Sequence, residues 1–93
     1  MRTIRRTRAF KRDYKREKKG RQRKTIDDDL LKVVATLAND EPLAERHHDH
    51  ALAGEWKDHR DCHLKPDLIL IYRKTGENTL DLVRLGSHSE LGL

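Results

Sequence analysis

The chain has one cysteine, Cys62, in 93 residues. That excludes an internal disulfide and a thiolate-rich metal site, and it makes a reducing cytoplasm the expected setting. Only two prolines and five glycines interrupt it, so no flexible linker divides it and one domain, 1–93, is expected. Aromatic residues make up 4%, which leaves little to build a large core. No apolar stretch reaches the length of a membrane span or a signal peptide, so no membrane association is expected. Hydrophobic residues are 34% and charged residues 40%. Such a balance sits near the lower limit for burying enough apolar surface, and disorder would be its alternative. Regular apolar periodicity over 26–37 and 68–85 argues for a folded chain instead.

What is abundant is charge, unevenly placed. Residues 1–24 hold 13 Lys/Arg against Asp13 and Glu17, whereas 25–93 hold 8 against 14 Asp/Glu. A basic end on an otherwise acidic chain reads as a phosphate-binding or acidic-partner surface rather than a merely solvated helix face.

Local signals give an element order. Residues 2–7 read as a short edge strand around Ile4. Thr7 can cap a helix over 8–23, whose one narrow stripe is Phe10 and Tyr14 and which Gly20 weakens or ends. Thr25 and Asp28 form a T-x-x-D pattern, a variant of the capping box, ahead of the stripe Ile26, Leu30, Val33, Val34, Leu37. These two helices are expected to form a hairpin. Pro42 forbids easy continuation. Residues 55–64 alternate, with Trp56, Cys62 and Leu64 on one face and His59, Asp61 and His63 on the other. "KPD" at 65–67 is a turn, "LILIYR" at 68–73 a central strand apolar on both faces, and "KTGEN" at 74–78 a hairpin loop. The strand 79–87 changes phase at Leu82–Val83, which predicts a bulge. The sum is an α+β fold, β-α-α-β-β-β, with two helices on a small, mainly antiparallel sheet.

Five of the six histidines fall between His47 and His63. Three readings compete: a metal site, an acid/base cluster, or a polar loop and strand. No familiar zinc spacing is present, so no metal or other cofactor is expected. Asp61 and His63, two apart on a strand, put a carboxylate beside an imidazole. His50 precedes that strand, Asp67 opens the next, and His88 ends the last. Each alone has an ordinary reading as a turn or surface residue. Together, beside a basic segment, they suit general acid/base cleavage of a phosphodiester.

The run "DHALAGEWKDHRDCHLKPDLILIYR" with "VRLGSHSEL" resembles the YafQ branch of the RelE/ParE toxin superfamily. The resemblance covers residues 49–91 by motif and nearly the whole chain by fold. It implies a RelE-like fold and a ribosome-dependent messenger-RNA endonuclease, the toxin of a type II toxin–antitoxin pair. Its partners would be a cognate antitoxin, the ribosome and messenger RNA. By motif the catalytic set carries over to His50, Asp61, His63, Asp67 and His88. His47, His48 and His59 match no functional position and read as surface. A phenylalanine commonly stands four residues after the last histidine. Here that position is Gly92, and Gly92→Phe is expected to speed the cut.

RNA brings its own nucleophile, the 2′-hydroxyl, so the three motif histidines would share base, acid and charge stabilisation, with Asp61 and Asp67 orienting them or one of the two serving as the base. Lys11, Arg12, Lys15, Arg16, Lys18 and Lys19, together with Arg73 and Arg84, are the expected contacts to RNA phosphates or ribosomal RNA. Two rivals stand beside this reading. A non-catalytic basic nucleic-acid-binding module leaves the His/Asp set without a role, and that set also argues against a gyrase-inhibiting toxin of the same fold.

Overall fold

A run that is apolar on both faces must be covered on both faces. Leu68–Tyr72 is such a run, and it forms the centre of a five-stranded sheet in the computed structural model, which describes residues 1–93. The strands are β1 (Thr3–Arg6), β2 (His50–Ala51), β3 (Arg60–Lys65), β4 (Leu68–Thr75) and β5 (Thr79–Gly86), in the order β1-β5-β4-β3-β2. Only β1 runs parallel to its neighbour, β5. The α+β fold is therefore the expected one, with a two-residue strand and a terminal helical turn added. The helices are α1 (Arg8–Glu17), α2 (Ile26–Ala38) and α3 (His88–Leu91). None is long and apolar enough to cross a membrane.

Alternation along β4 divides its side chains between two layers. Leu68, Leu70 and Tyr72 join Phe10, Ile26, Val33, Leu37, Leu80 and Leu82 beneath α1 and α2. Ile69 and Ile71 face the other way and meet Leu91, Leu52, Trp56 and Val83. This second, smaller layer is the floor of the candidate site.

The predicted bulge is present. Ile71 pairs with Arg84 but Tyr72 with Leu82, which leaves Val83 unmatched. The slip lets Leu82 and Leu85, three apart, enter the same helix-side core, which an unbroken strand of period two would forbid.

Thr7 caps α1 as expected, its Oγ1 accepting the Phe10 N–H at 3.0 Å. The helix then ends at Glu17, short of Gly20. The cap expected at Thr25 does not form. Thr25 already has helical backbone angles, φ −117° and ψ −13°, and its side chain makes no capping bond. A helical turn runs back through the link, with Ile26 N–H bonded to the Gln22 carbonyl at 2.9 Å. An N-cap needs extended angles to aim its oxygen forward. Asp27, Asp28 and Asp29 in the first turn still suit the positive helix end. The helices are bridged by the Tyr14 hydroxyl, which donates to Asp27.

The alternation read over 55–59 also fails. Gly54–Trp56 is a 3₁₀ turn, and Gly54 and Asp58 both have positive φ. Trp56 consequently packs against the Ile69/Ile71 layer rather than beside Cys62 and Leu64.

Candidate active site

Period two on β3 sends Asp61 and His63 to the side away from α1 and α2. They sit opposite Ile71 and Ile69 respectively. The neighbouring β2 places His50 directly across from Asp61. That short strand is pinned by Asp49, which accepts from the Tyr72 hydroxyl at 2.5 Å and from Arg60 Nε at 3.3 Å. Leu52 N–H adds a bond to the His59 carbonyl at 2.9 Å.

His88 arrives by a different device. Ser87 and Glu90 form a capping box around α3: the Ser87 Oγ accepts the Glu90 N–H at 3.1 Å, and Glu90 Oε1 accepts the Ser87 N–H at 2.8 Å. Leu91 is buried on the sheet and anchors the turn. One oxygen of Asp67, from the β3–β4 turn, then accepts both the His88 backbone N–H at 2.9 Å and the His88 Nδ1–H at 2.6 Å. The five motif residues thus converge from β2, β3, the β3–β4 turn and α3.

The hydrogen bonds select tautomers. His88 donates from Nδ1 to Asp67, and His50 donates from Nδ1 to the His48 carbonyl at 2.8 Å. Both rings therefore leave Nε2 open. The His63 ring packs edge-on against His88, centroids 5.3 Å apart, and no protein group bonds its nitrogens.

Asp61 lies beneath these rings and is 3% exposed. Its Oδ1 has no hydrogen bond: His50 Nδ1 is 3.0 Å away but is directed at the His48 carbonyl. Burial pushes the Asp61 carboxyl above its ordinary value, although His50, His63 and His88 pull it down. Asp67 behaves oppositely. The His88 backbone N–H and then its ring hold the Asp67 carboxyl below the usual range.

The rings line a cavity of about 820 Å³, with Lys65, Arg46, His47 and His48 on its walls. His47 and His48 were expected at the surface, and both belong here. His47 Nδ1 donates to the His63 carbonyl at 2.7 Å, and the His48 ring meets the His63 ring at 5.4 Å. The sequence signal was their place just before His50, in a segment that must fold back over β3. His59 is elsewhere. It bonds the Lys57 carbonyl and stacks edge-on against Trp56, near Arg5, Arg6 and Arg73.

The expected phosphate contacts divide. Lys11, Arg12, Lys15 and Lys19 are exposed along α1 and just after it. Lys18 pairs with Asp27 at 2.6 Å. Arg73 is exposed on β4, cross-strand from Asp81. Arg16 and Arg84 are spent on a buried group, Asp13, at 3.0 and 2.6 Å. Asp13 had no role in the sequence reading, yet it lies three residues after Phe10 on the same helix face, which is the signal that marks it.

The sequence model of the family described as "Bacterial toxin of type II toxin-antitoxin system, YafQ" matches residues 2–92. The chain belongs to the YafQ toxin family. The mRNA interferase toxin YafQ of Escherichia coli K12 is 40% identical over 80 residues, covering 84% of this chain and 86% of that protein. A metal-bound toxin from Helicobacter pylori superposes with TM-score 0.84 at 50% identity, over 98% of this chain and 99% of that one. YafQ in the E. coli DinJ-YafQ complex superposes with TM-score 0.81 at 33% identity, over 98% of each chain.

No three His, Cys, Asp or Glu side chains are placed to share a metal ion. At the C-terminus, Gly92 ends α3 in the left-handed conformation, φ 72°. A phenylalanine there would carry about 1–2 kcal/mol of backbone strain. Leu91, one position earlier, is buried on the sheet against Ile69 and Ile71. Gly92→Phe is therefore not the simple addition of a ring that the sequence suggested.

Proposed function

We propose that this YafQ-family toxin cuts messenger RNA on the ribosome by attack of the RNA's own 2′-hydroxyl. The chain is the toxin of a type II toxin–antitoxin system and a messenger-RNA endonuclease, like its named relatives. The observation that carries the mechanism is the pair of imidazoles, His50 and His88, each with Nδ1 bound and Nε2 open to one cavity.

One open Nε2 accepts the proton of the 2′-hydroxyl. The O2′–phosphorus bond forms, the phosphorus–O5′ bond breaks, and the second imidazole gives its proton to O5′. The ends are a 2′,3′-cyclic phosphate and a 5′-hydroxyl. His63, lying between Asp61 and His88, stabilises the charge of the phosphorane. Asp67 fixes the His88 tautomer, and Asp61 lies beneath the rings, next to His50. Neither rival, a non-catalytic nucleic-acid binder or a gyrase inhibitor, gives these groups a task.

The exposed lysines and arginines of α1 dock on ribosomal RNA by phosphate contact. They also rim an apolar groove of about 840 Å³ lined by Tyr14, Leu30, Leu31 and Val34. An antitoxin segment with acidic and apolar residues suits that groove, and would neutralise the toxin by taking the same cations. The cytoplasm, where ribosomes are, is the proposed place of action.

His50→Ala, His63→Ala and His88→Ala should each slow cleavage of ribosome-bound messenger RNA by about 10²–10⁴-fold. Cleavage should survive EDTA, and the 3′ ends should be cyclic phosphate or 3′-phosphate. Full cleavage by His63→Ala, or equal cutting of naked RNA, would contradict the reading.

A further inference from the structure

We propose that His48 is a further substrate-binding residue of this site, a ligand for the phosphate adjacent to the one that is cut. The inference rests on the endonuclease reading above and adds a position that the family motif does not contain.

Three observations place His48 there. Its ring stands edge-on to His63, centroids 5.4 Å apart at 63°, while His88 meets His63 at 5.3 Å and 66°. The three imidazoles form a row with His63 in the middle. The His48 backbone is left-handed, φ 46° and ψ 44°, a conformation few non-glycine residues adopt and one that clusters at functional sites. That conformation turns the His48 carbonyl onto His50 Nδ1 at 2.8 Å. One residue therefore contacts two members of the catalytic set, His63 and His50. Yet its own ring nitrogens bond to no protein group, so they are left for a ligand.

The surroundings specify an anion. On its own segment His48 has Arg46, which has no carboxylate partner, and His47, which is bonded to the His63 carbonyl. Across the cavity are Lys65 of β3 and Asp29 of α2, paired with each other at 3.0 Å, and His88 of α3, paired with Asp67. Asp61 lies beneath, next to His50. No exposed carboxylate on the wall is left unpaired to compete. A polynucleotide with its scissile phosphate near His63 and His88 continues along the row, and its next phosphate meets His48 and Arg46. An imidazole binds phosphate best when charged, so this contact is stronger in acid than in alkali.

Four forms of the full chain test this: wild type, His48→Ala, His48→Asn and His48→Arg. Asparagine tolerates the left-handed backbone, so that variant separates the ring from the turn. Affinity is read with ribosome-bound messenger RNA made uncleavable by a 2′-O-methyl group, at about pH 6 and about pH 8.5, either side of imidazole titration. His48→Ala and His48→Asn should bind about tenfold more weakly at the lower pH, the scale of one charge-assisted hydrogen bond. They should be nearly equal to wild type at the higher pH. His48→Arg should bind tightly at both. In a parallel arm, inorganic phosphate should shift the His48 ring resonances of the wild-type protein, a readout independent of cleavage. Wild-type affinity in His48→Asn at both pH values, or no phosphate-dependent shift of the His48 ring, overturns the proposal. A wild type that shows the shift but does not cut RNA overturns the endonuclease reading and leaves His48 a phosphate ligand with no scissile neighbour.

Discussion

Asp13 and Asp61 are the only two charged residues the fold buries, 1% and 3% exposed. They are equally hidden and differently treated. Asp13 accepts from Arg84 Nε at 2.6 Å, Arg84 Nη2 at 3.2 Å, Arg16 Nη1 at 3.0 Å and the Leu85 N–H at 3.0 Å. Burial alone would raise its carboxyl, but these bonds and charges outweigh it and hold it below the ordinary range. Asp61 has no hydrogen bond on Oδ1, and burial carries its carboxyl upward. One carboxylate ties α1 to β5. The other lies beneath the imidazoles with an incompletely satisfied charge, which in the proposed mechanism serves proton transfer at the expense of stability.

The largest expected effect separates them at once. Asp13→Ala leaves Arg84 at the helix–sheet interface without its anion and the Leu85 N–H without its acceptor, while Arg16 keeps Glu17 and Glu90. It should cost about 3–5 kcal/mol in urea unfolding, enough to unfold much of so small a domain. Its cost should shrink at acid pH, because the wild type loses the Asp13 contribution as pH falls from the ordinary carboxylate value through the lowered one. A loss under about 1 kcal/mol would place Asp13 among ordinary surface-type pairs.

A smaller effect is expected at Asp67, which is exposed but holds the His88 tautomer. Asp67→Ala should slow cleavage about tenfold to a hundredfold, within the range of one acid/base role, while unfolding changes little. Equal losses of rate and of stability would make Asp67 a cap for α3 and nothing more.

Smallest is Gly92→Phe. The ring would add about 1–3 kcal/mol of stacking on a base, against about 1–2 kcal/mol of strain at φ 72°. Single-turnover cutting should change by less than about tenfold either way, with the melting temperature lowered. A larger rate gain with no stability loss would show that α3 ends differently when substrate is bound.

The two regions were also unequally legible. The convergence of the candidate residues was readable because they sit in a dense polar motif, and alternation on β3 alone puts Asp61 beside His63. β4 and the bulge at Val83 were readable because period two exposes a change of phase. Asp13 was not, because its partner Arg84 is 71 residues away and a lone acid among cations looks like solvated charge. For the same reason Arg16 and Arg84 looked free. The failed cap at Thr25 and the broken alternation at 55–59 share a cause: backbone angles set by neighbouring turns override side-chain pattern. His48 was hidden by its αL turn, which no spacing rule anticipates.

Unfolding and cleavage of Asp61→Asn, compared with wild type across pH, test the contrast most directly. The raised carboxyl makes the wild type lose stability as pH rises from the ordinary carboxylate value through the raised one. The neutral amide avoids that loss. Asp61→Asn should therefore be more stable than wild type at pH 7 by about 1 kcal/mol, the low end of an unsatisfied buried group. That corresponds to roughly 4–8 °C in melting temperature for a domain of this size. The advantage should fade below the ordinary carboxylate range, and cleavage should fall by about a hundredfold or more. A variant that cuts at the wild-type rate, or one destabilised as Asp13→Ala is, would contradict the account.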